Sequence, residues 1–297
     1  MDSPTLQAAL ASTARVSQIA RTTMFIPSAS RGNENTLWAT ISSSIRSLTH
    51  SLNFTNPIKP IELIELEIRD IWYLFILSAK TIDTDHPAQD RLIWIVLAAR
   101  ELGAVRRQIG GDGGGGGEVE GEEAVTSDGG RIWVDLPFIV RDLRDAWKGP
   151  IDDPSERRNL ASSIARLAAL GVCEEAFSSC GLDIMNQALE RSGGIVGGGV
   201  DLSEHLQLVQ IWLRYAGDKL LRLCLAKYSG DGADWKRDHS SAQLDGGVTE
   251  GFDRERFLAW RRKLQITREE SDGPLKKLAT ACSNNIEIVW NSNFGLQ

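Results

Sequence analysis

The stretch PIELIELEIRDIWYLFILSAKTIDTDHPAQDRLIWIVLAARELGAVRR, from Pro60 to Arg107, decides the class of fold. Its apolar residues recur at helical spacing on both sides of Asp83-Thr-Asp-His-Pro87, which predicts helices over 60–82 and 87–107. Each has a charged outer half: Glu62, Glu65, Glu67, Arg69 and Asp70 in the first, Arg100, Glu101, Arg106 and Arg107 in the second. Near the connection each turns apolar on every side, at Ile71–Ala79 and Leu92–Ala99. A helix apolar all round must be surrounded. Folding the pair back as an antiparallel hairpin sets the two apolar sections level, so they are expected to form the centre of a bundle.

Outward from this pair the same period continues. Helices are expected at 4–21, 34–52, 135–147, 155–170, 173–191, 202–228, 252–268 and 274–290. Start signals support several of them. Asp153-Pro154-Ser155-Glu156 offers an N-cap acid, Pro at the first helical position and an acid in the first turn. Asp85-His86-Pro87 and Gly273-Pro274 open helices in the same manner. No hairpin turn is flanked by alternating strands. The expectation is therefore all-α: residues 1–297 as one multi-helix bundle domain of about ten helices. Residues 1–33 would form a peripheral N-terminal helix, with Leu6, Leu10, Thr13, Val16 and Ala20 on one face. Residues 108–131 contain Gly113–Gly117 and an acidic run, a composition that predicts a flexible, disordered acidic insertion. Gly193–Val200 and Tyr228–Gly251 read as further loops.

The formal charge of −7 is concentrated in that insertion. Between Gln108 and Gly130 lie Asp112, Glu118, Glu120, Glu122, Glu123 and Asp128 and no Lys or Arg, and setting those six aside leaves about −1 for the rest. A body so close to neutral lacks the basic face of a nucleic-acid binder. The longest apolar run, Ile71–Ala79, is far short of the ~20 residues that span a bilayer. Residues 3–33 hold three Arg and no acid, a composition similar to a mitochondrial presequence, but Asp2 stands in front of it and no secretion signal is present. Cys173, Cys180, Cys224 and Cys282 show no zinc spacing and read as free thiols of a reducing, cytoplasmic compartment. The four His (50, 86, 205, 239) are scattered, and the Gly runs lack the Gly-Lys-Ser/Thr ending of a phosphate loop. No cofactor and no metal are expected.

Nine Trp against three Tyr is the unusual feature of the composition. Trp94, Trp133, Trp212 and Trp260 sit in apolar stretches and are candidate substrate-binding walls. On the helix 202–228, Leu208, Trp212, Tyr215 and Lys219 form a stripe ending in a phenol and an ammonium. Tyr215 and Lys219 are the candidate catalytic residues, able to donate to a carbonyl or carboxylate of an apolar ligand. The competing reading is an ordinary packed seam, with Arg214–Asp218 and Asp218–Arg222 as surface pairs. Arg91 is expected to pair with Asp142 as a structural ion pair.

Several segments, in order, resemble a fungal family of uncharacterised function, domain of unknown function 3632. They are His86-Pro-Ala-Gln-Asp-Arg-Leu92 running on to Arg100-Glu-Leu-Gly103, Trp133-Val-Asp-Leu-Pro-Phe138 with Asp142 and Trp147, and Arg158-Asn-Leu160 with Ala165-Arg-Leu167 and Gly171. Trp212-Leu-Arg-Tyr-Ala-Gly-Asp-Lys-Leu220 and Phe257-Leu-Ala-Trp-Arg261 complete the set. The resemblance implies a helical fold and a setting in secondary metabolism, without assigned catalytic residues or cofactor. Two functions follow as expectations. The first is a cofactor-independent cyclase or isomerase, down to a pericyclase such as a Diels–Alderase, acting on an apolar small molecule in a Trp-lined cavity. The alternative is a non-catalytic helical module that binds a protein partner through the acidic insertion or the N-terminal amphipathic helix.

Overall fold

The structure, a computed structural model, describes residues 31–54, 59–107, 121–173, 176–190, 202–229 and 251–295. The expected helix at 4–21, the loop Gly193–Val200 and most of Tyr228–Gly251 lie outside the described residues. Those described form an all-α protein with nine α-helices and a single two-stranded pair. No described helix is long and apolar enough to cross a membrane. Where the sequence reading treats the chain as one bundle, its residues gather into two compact units, 1–150 and 151–297, each taken here by itself.

In the first unit, α1 (Arg31–Phe54) buries Ile41, Ile45, Leu48 and Leu52 along one face. The next helix, α2 (Ile61–Thr81), packs against α1, α3 (Ala88–Glu101) and α4 (Ile139–Lys148) and is the hub of this unit. Its buried Ile64, Ile68, Ile71, Trp72 and Phe75 supply the apolar contact. The turn between α2 and α3 is closed by buried Gln89, whose amide donates to Ile82 O at 2.7 Å. His86 caps α3 by accepting from Ala88 N at 3.1 Å. The expectation that both apolar sections are surrounded holds better for α2 than for α3. Ala98 is exposed, and Trp94 keeps 69% of its surface in solvent while Leu92, Ile93 and Val96 on either side of it are buried. On α3 the apolar stretch is wider than the face that packing covers.

Two further local expectations are corrected. Residues 121–131, assigned by composition to the flexible insertion, return the chain to the unit: β2 (Glu122–Glu123) pairs antiparallel with β1 (Arg106–Arg107). The register sets Arg106 opposite Glu123 and Arg107 opposite Glu122, so acids that read as a solvated run face cations across a ladder. Ala124 N donates to Val105 O at 2.7 Å and Ala124 itself is buried. Then α4 starts at Ile139 rather than 135, because Trp133, Leu136 and Phe138 take left-handed φ of 39°, 48° and 70°. Each such residue costs on the order of 1–3 kcal/mol. Arg131 and Asp135 brace the turn through two side-chain bonds, 3.0 and 2.8 Å, and Trp133 Nε1 anchors it on Thr49 Oγ1 at 2.8 Å.

The second unit is built on α7 (Leu202–Leu225), which contacts α5 (Pro154–Ala169), α6 (Ser178–Met185), α8 (Arg254–Glu270) and α9 (Gly273–Phe294). The predicted start of α5 is present: the Asp153 side chain accepts from Ser155 N at 2.8 Å and Pro154 is the first helical residue. Asp253 caps α8 in the same way. Close packing on α7 depends on two glycines. A Cβ on Gly181 of α6 would lie 2.5 Å from the Trp212 ring, and one on Gly217 would lie 2.5 Å from Val289 Cγ2 of α9. After Met185 the chain passes into a π-helical turn, Asn186–Glu190, which carries Glu190 into the core.

Candidate functional site

Along α7 the sequence Leu213-Arg-Tyr-Ala-Gly-Asp-Lys219 changes character as it turns. Leu213 and Ala216 are buried, Tyr215 and Lys219 are half-buried, and Arg214, Asp218 and Arg222 are exposed. The half-buried residues open into a groove of about 390 Å³ between α7, α9 and the end of α5. Gly217 and Val289 form its floor, where the two helices approach most closely. From α9, Asn285, Ile288 and Ser292 make the facing wall. The stripe that ends in Tyr215 and Lys219 therefore does reach a concave surface, and both residues line it.

Cations dominate this groove. Arg214, Lys219 and Arg222 line it against one acid, Asp218, whose carboxylate accepts from Asn293 Nδ2 at 2.9 Å. Asp218, expected to pair with Arg214 and Arg222 along the helix surface, reaches across to α9 through this bond. Behind the groove, the Arg166 guanidinium lies 3.7 Å from the centre of the Tyr215 ring, and that of Arg214 lies 5.2 Å away. Arg166 is itself tethered to Ser162 Oγ. Two guanidinium contacts on one ring fix the phenol's plane and surround it with positive charge. The arrangement offers a phenolic donor, an ammonium and guanidinium groups beside an apolar floor.

The tryptophans do not join it. Trp212 is fully buried on the α6 side of α7, pressed against Gly181, and its Nε1 has no hydrogen-bond partner among the described residues. Trp260, also fully buried, donates its Nε1 to Glu190 Oε1 at 2.6 Å. Trp133 packs edge-on against Trp72, ring centres 6.3 Å apart, and Trp94 is the exposed residue of α3; both belong to the first unit. None of the four candidate walls lines the α7–α9 groove. The physical reason is volume: three of these indoles already fill the close-packed interiors to which apolar spacing assigns them.

The ion-pair expectations shift in the same manner. Asp142 is held by Arg69 at 3.0 and 3.2 Å rather than by Arg91, which is exposed. A stronger pair escaped the sequence reading altogether. Arg256 and Glu190 are fully buried and joined at 2.5 and 2.7 Å, with Arg256 also donating to Gly251 O. The usable signal was position: Arg256 falls four residues after Phe252 and four before Trp260, on an apolar face where a lone cation is untenable. Burial pushes the Cys224 and Cys282 thiols up to about 12, so neither supplies a thiolate nucleophile near neutral pH. Among the described residues no group of three His, Cys, Asp or Glu is placed to hold a metal ion.

Fold and site together define an all-α protein with a cationic groove between two long helices. The chain belongs to the family described as protein of unknown function (DUF3632), whose model matches residues 72–264. That match takes in part of each unit and the whole of α7. A relative from Penicillium oxalicum, the oxopyrrolidines biosynthesis cluster protein G, is 23% identical over 251 residues, covering 78% of this chain and 68% of the relative. No solved structure matches the chain.

Proposed function

We propose that this protein serves in the assembly of a fungal secondary metabolite, as a cofactor-independent cyclase or isomerase that works on a carbonyl-bearing small molecule in the α7–α9 groove. The observation that carries this reading is the meeting of Tyr215 and Lys219 at one concave surface. The name of the Penicillium relative supports the biosynthetic setting. Donors aimed at a carbonyl oxygen stabilise charge that develops there, and a groove that holds a flexible chain in one folded form removes the entropy of finding it. A pericyclic ring closure is the finer version, with Tyr215 or Lys219 polarising the reacting carbonyl.

The test is conversion without change of mass. Purified protein is incubated with polarity-fractionated extract of the source fungus, without added cofactor, and products are followed by chromatography with mass detection. The expected result is a new peak of unchanged mass, lost in Tyr215→Phe with Lys219→Gln. A product that requires added nicotinamide, flavin or metal would overturn it. A second reading, the non-catalytic module with a protein partner, draws on the exposure of Trp94. It expects partner binding to be lost in Trp94→Glu and kept in the groove variants.

A further inference from the structure

We infer that the ligand of the α7–α9 groove enters as a carboxylate, received by Lys219 and Arg222, with a second oxygen one helical turn away on Tyr215. This deepens the reading above and rests on the groove being the small-molecule site. Tyr215, Lys219 and Arg222 stand at i, i+4 and i+7, one face of α7 spanning about 10 Å. Lys219 and Arg222 are three apart, close enough for both heads to meet one anion. The acid that would neutralise Arg222 within the helix, Asp218, is engaged by Asn293, and Arg222 forms no ion pair among the described residues. The facing wall carries no charge: Asn285, Ile288, Val289 and Ser292. The groove thus presents three cations against the single carboxylate of Asp218, over the floor of Gly217 and Val289. A planar carboxylate matches the guanidinium fork. A free phosphate would leave the floor and Ile288 uncovered. Tyr215, about 6 Å along the axis from the level of Lys219, then reaches a ketone or amide oxygen a few bonds from the acid. The class is a keto acid or N-acyl amino acid with a short apolar body.

The test uses three defined probes, 4-oxo-4-phenylbutanoate, its primary amide and 4-phenylbutanoate, with affinities read by saturation-transfer NMR. We expect the keto acid to bind about tenfold tighter than its amide. That preference should collapse in Arg222→Gln and at high salt, while Tyr215→Phe brings the keto acid down to the level of 4-phenylbutanoate. Ile288 is exposed, so Ile288→Trp fills the groove without disturbing the core and should abolish binding; circular dichroism confirms that each variant is folded. Equal affinity for acid and amide, or displacement by equimolar inorganic phosphate, overturns the carboxylate assignment and leaves the groove as the site. Binding that survives both Ile288→Trp and Tyr215→Phe places the ligand elsewhere and overturns this inference together with the functional reading. No binding of any probe overturns the ligand class, while conversion in extract still decides the reaction.

Discussion

Glu190 and Arg256 show how much a single residue choice can govern. Both charges are fully out of solvent, and the Glu190 carboxylate accepts from two nitrogens of Arg256 and from the Trp260 indole. Removing one partner of such a pair leaves the other charge buried and alone, which costs about 3–5 kcal/mol. Arg256→Met is therefore expected to lower the unfolding free energy obtained from urea titration by that order. Arg69→Met, which breaks a pair whose arginine is half exposed, should cost under about 1 kcal/mol. Similar losses in the two variants would show that the buried pair is not held as described. At this scale the sequence was only partly legible. That Tyr215 and Lys219 share a face was legible because a polar end to an apolar stripe is visible in one dimension, and both line the groove. Glu190 was not, because a carboxylate in front of a Gly-rich stretch looks like a surface residue until the π-helical turn carries it inward. Trp94 misled for the opposite reason, since hydropathy records what a side chain prefers and not which face its helix buries.

Among the elements, those that begin with local chemistry were legible. The cap at Asp153 and the Pro starts of α5 and α9 need only neighbouring residues, and all are present. The start of α4 and the β1–β2 ladder were not, because they depend on partners distant in sequence and on left-handed Trp133, Leu136 and Phe138. Two of these local devices set a pH dependence. A hydrogen bond from Arg131 holds the Asp135 carboxyl below its ordinary value, and one from Ser155 does the same for Asp153. A carboxyl whose pKa is lowered on folding contributes fully above its unfolded value of about 3.9 and loses that contribution as pH falls through the folded value. Stability should thus fall as pH drops below about 4, and Asp135→Asn with Asp153→Asn should flatten that fall. Unfolding midpoints from neutral to strongly acid pH measure it. An unchanged slope in the double variant would remove both groups from the account.

For the whole molecule, the −7 charge and the insertion belong together, yet the ladder shows where the insertion's influence on the fold stops. Arg107 and Glu122 face each other across the segment between them, so the chain enters and leaves at one place. Replacing residues 108–121 by Asn-Gly shortens the closed loop and should stabilise by about 1–2 kcal/mol. Helical circular dichroism is expected to stay unchanged and the melting temperature not to fall. A loss of helix would mean that the segment supports the unit. The same variant tests whether a partner binds through the insertion, since that binding would be lost with it while the exposed Trp94 and the groove would remain. The Glu190–Arg256 clasp has a parallel effect elsewhere. It fixes the chain at Glu190 and again at Gly251, and Phe252 N is bonded to Tyr228 O at 2.8 Å. With those contacts in place, three points far apart in sequence, Glu190, Tyr228 and Gly251, are gathered at the start of α8, so one arginine ties together the ends of three separate segments.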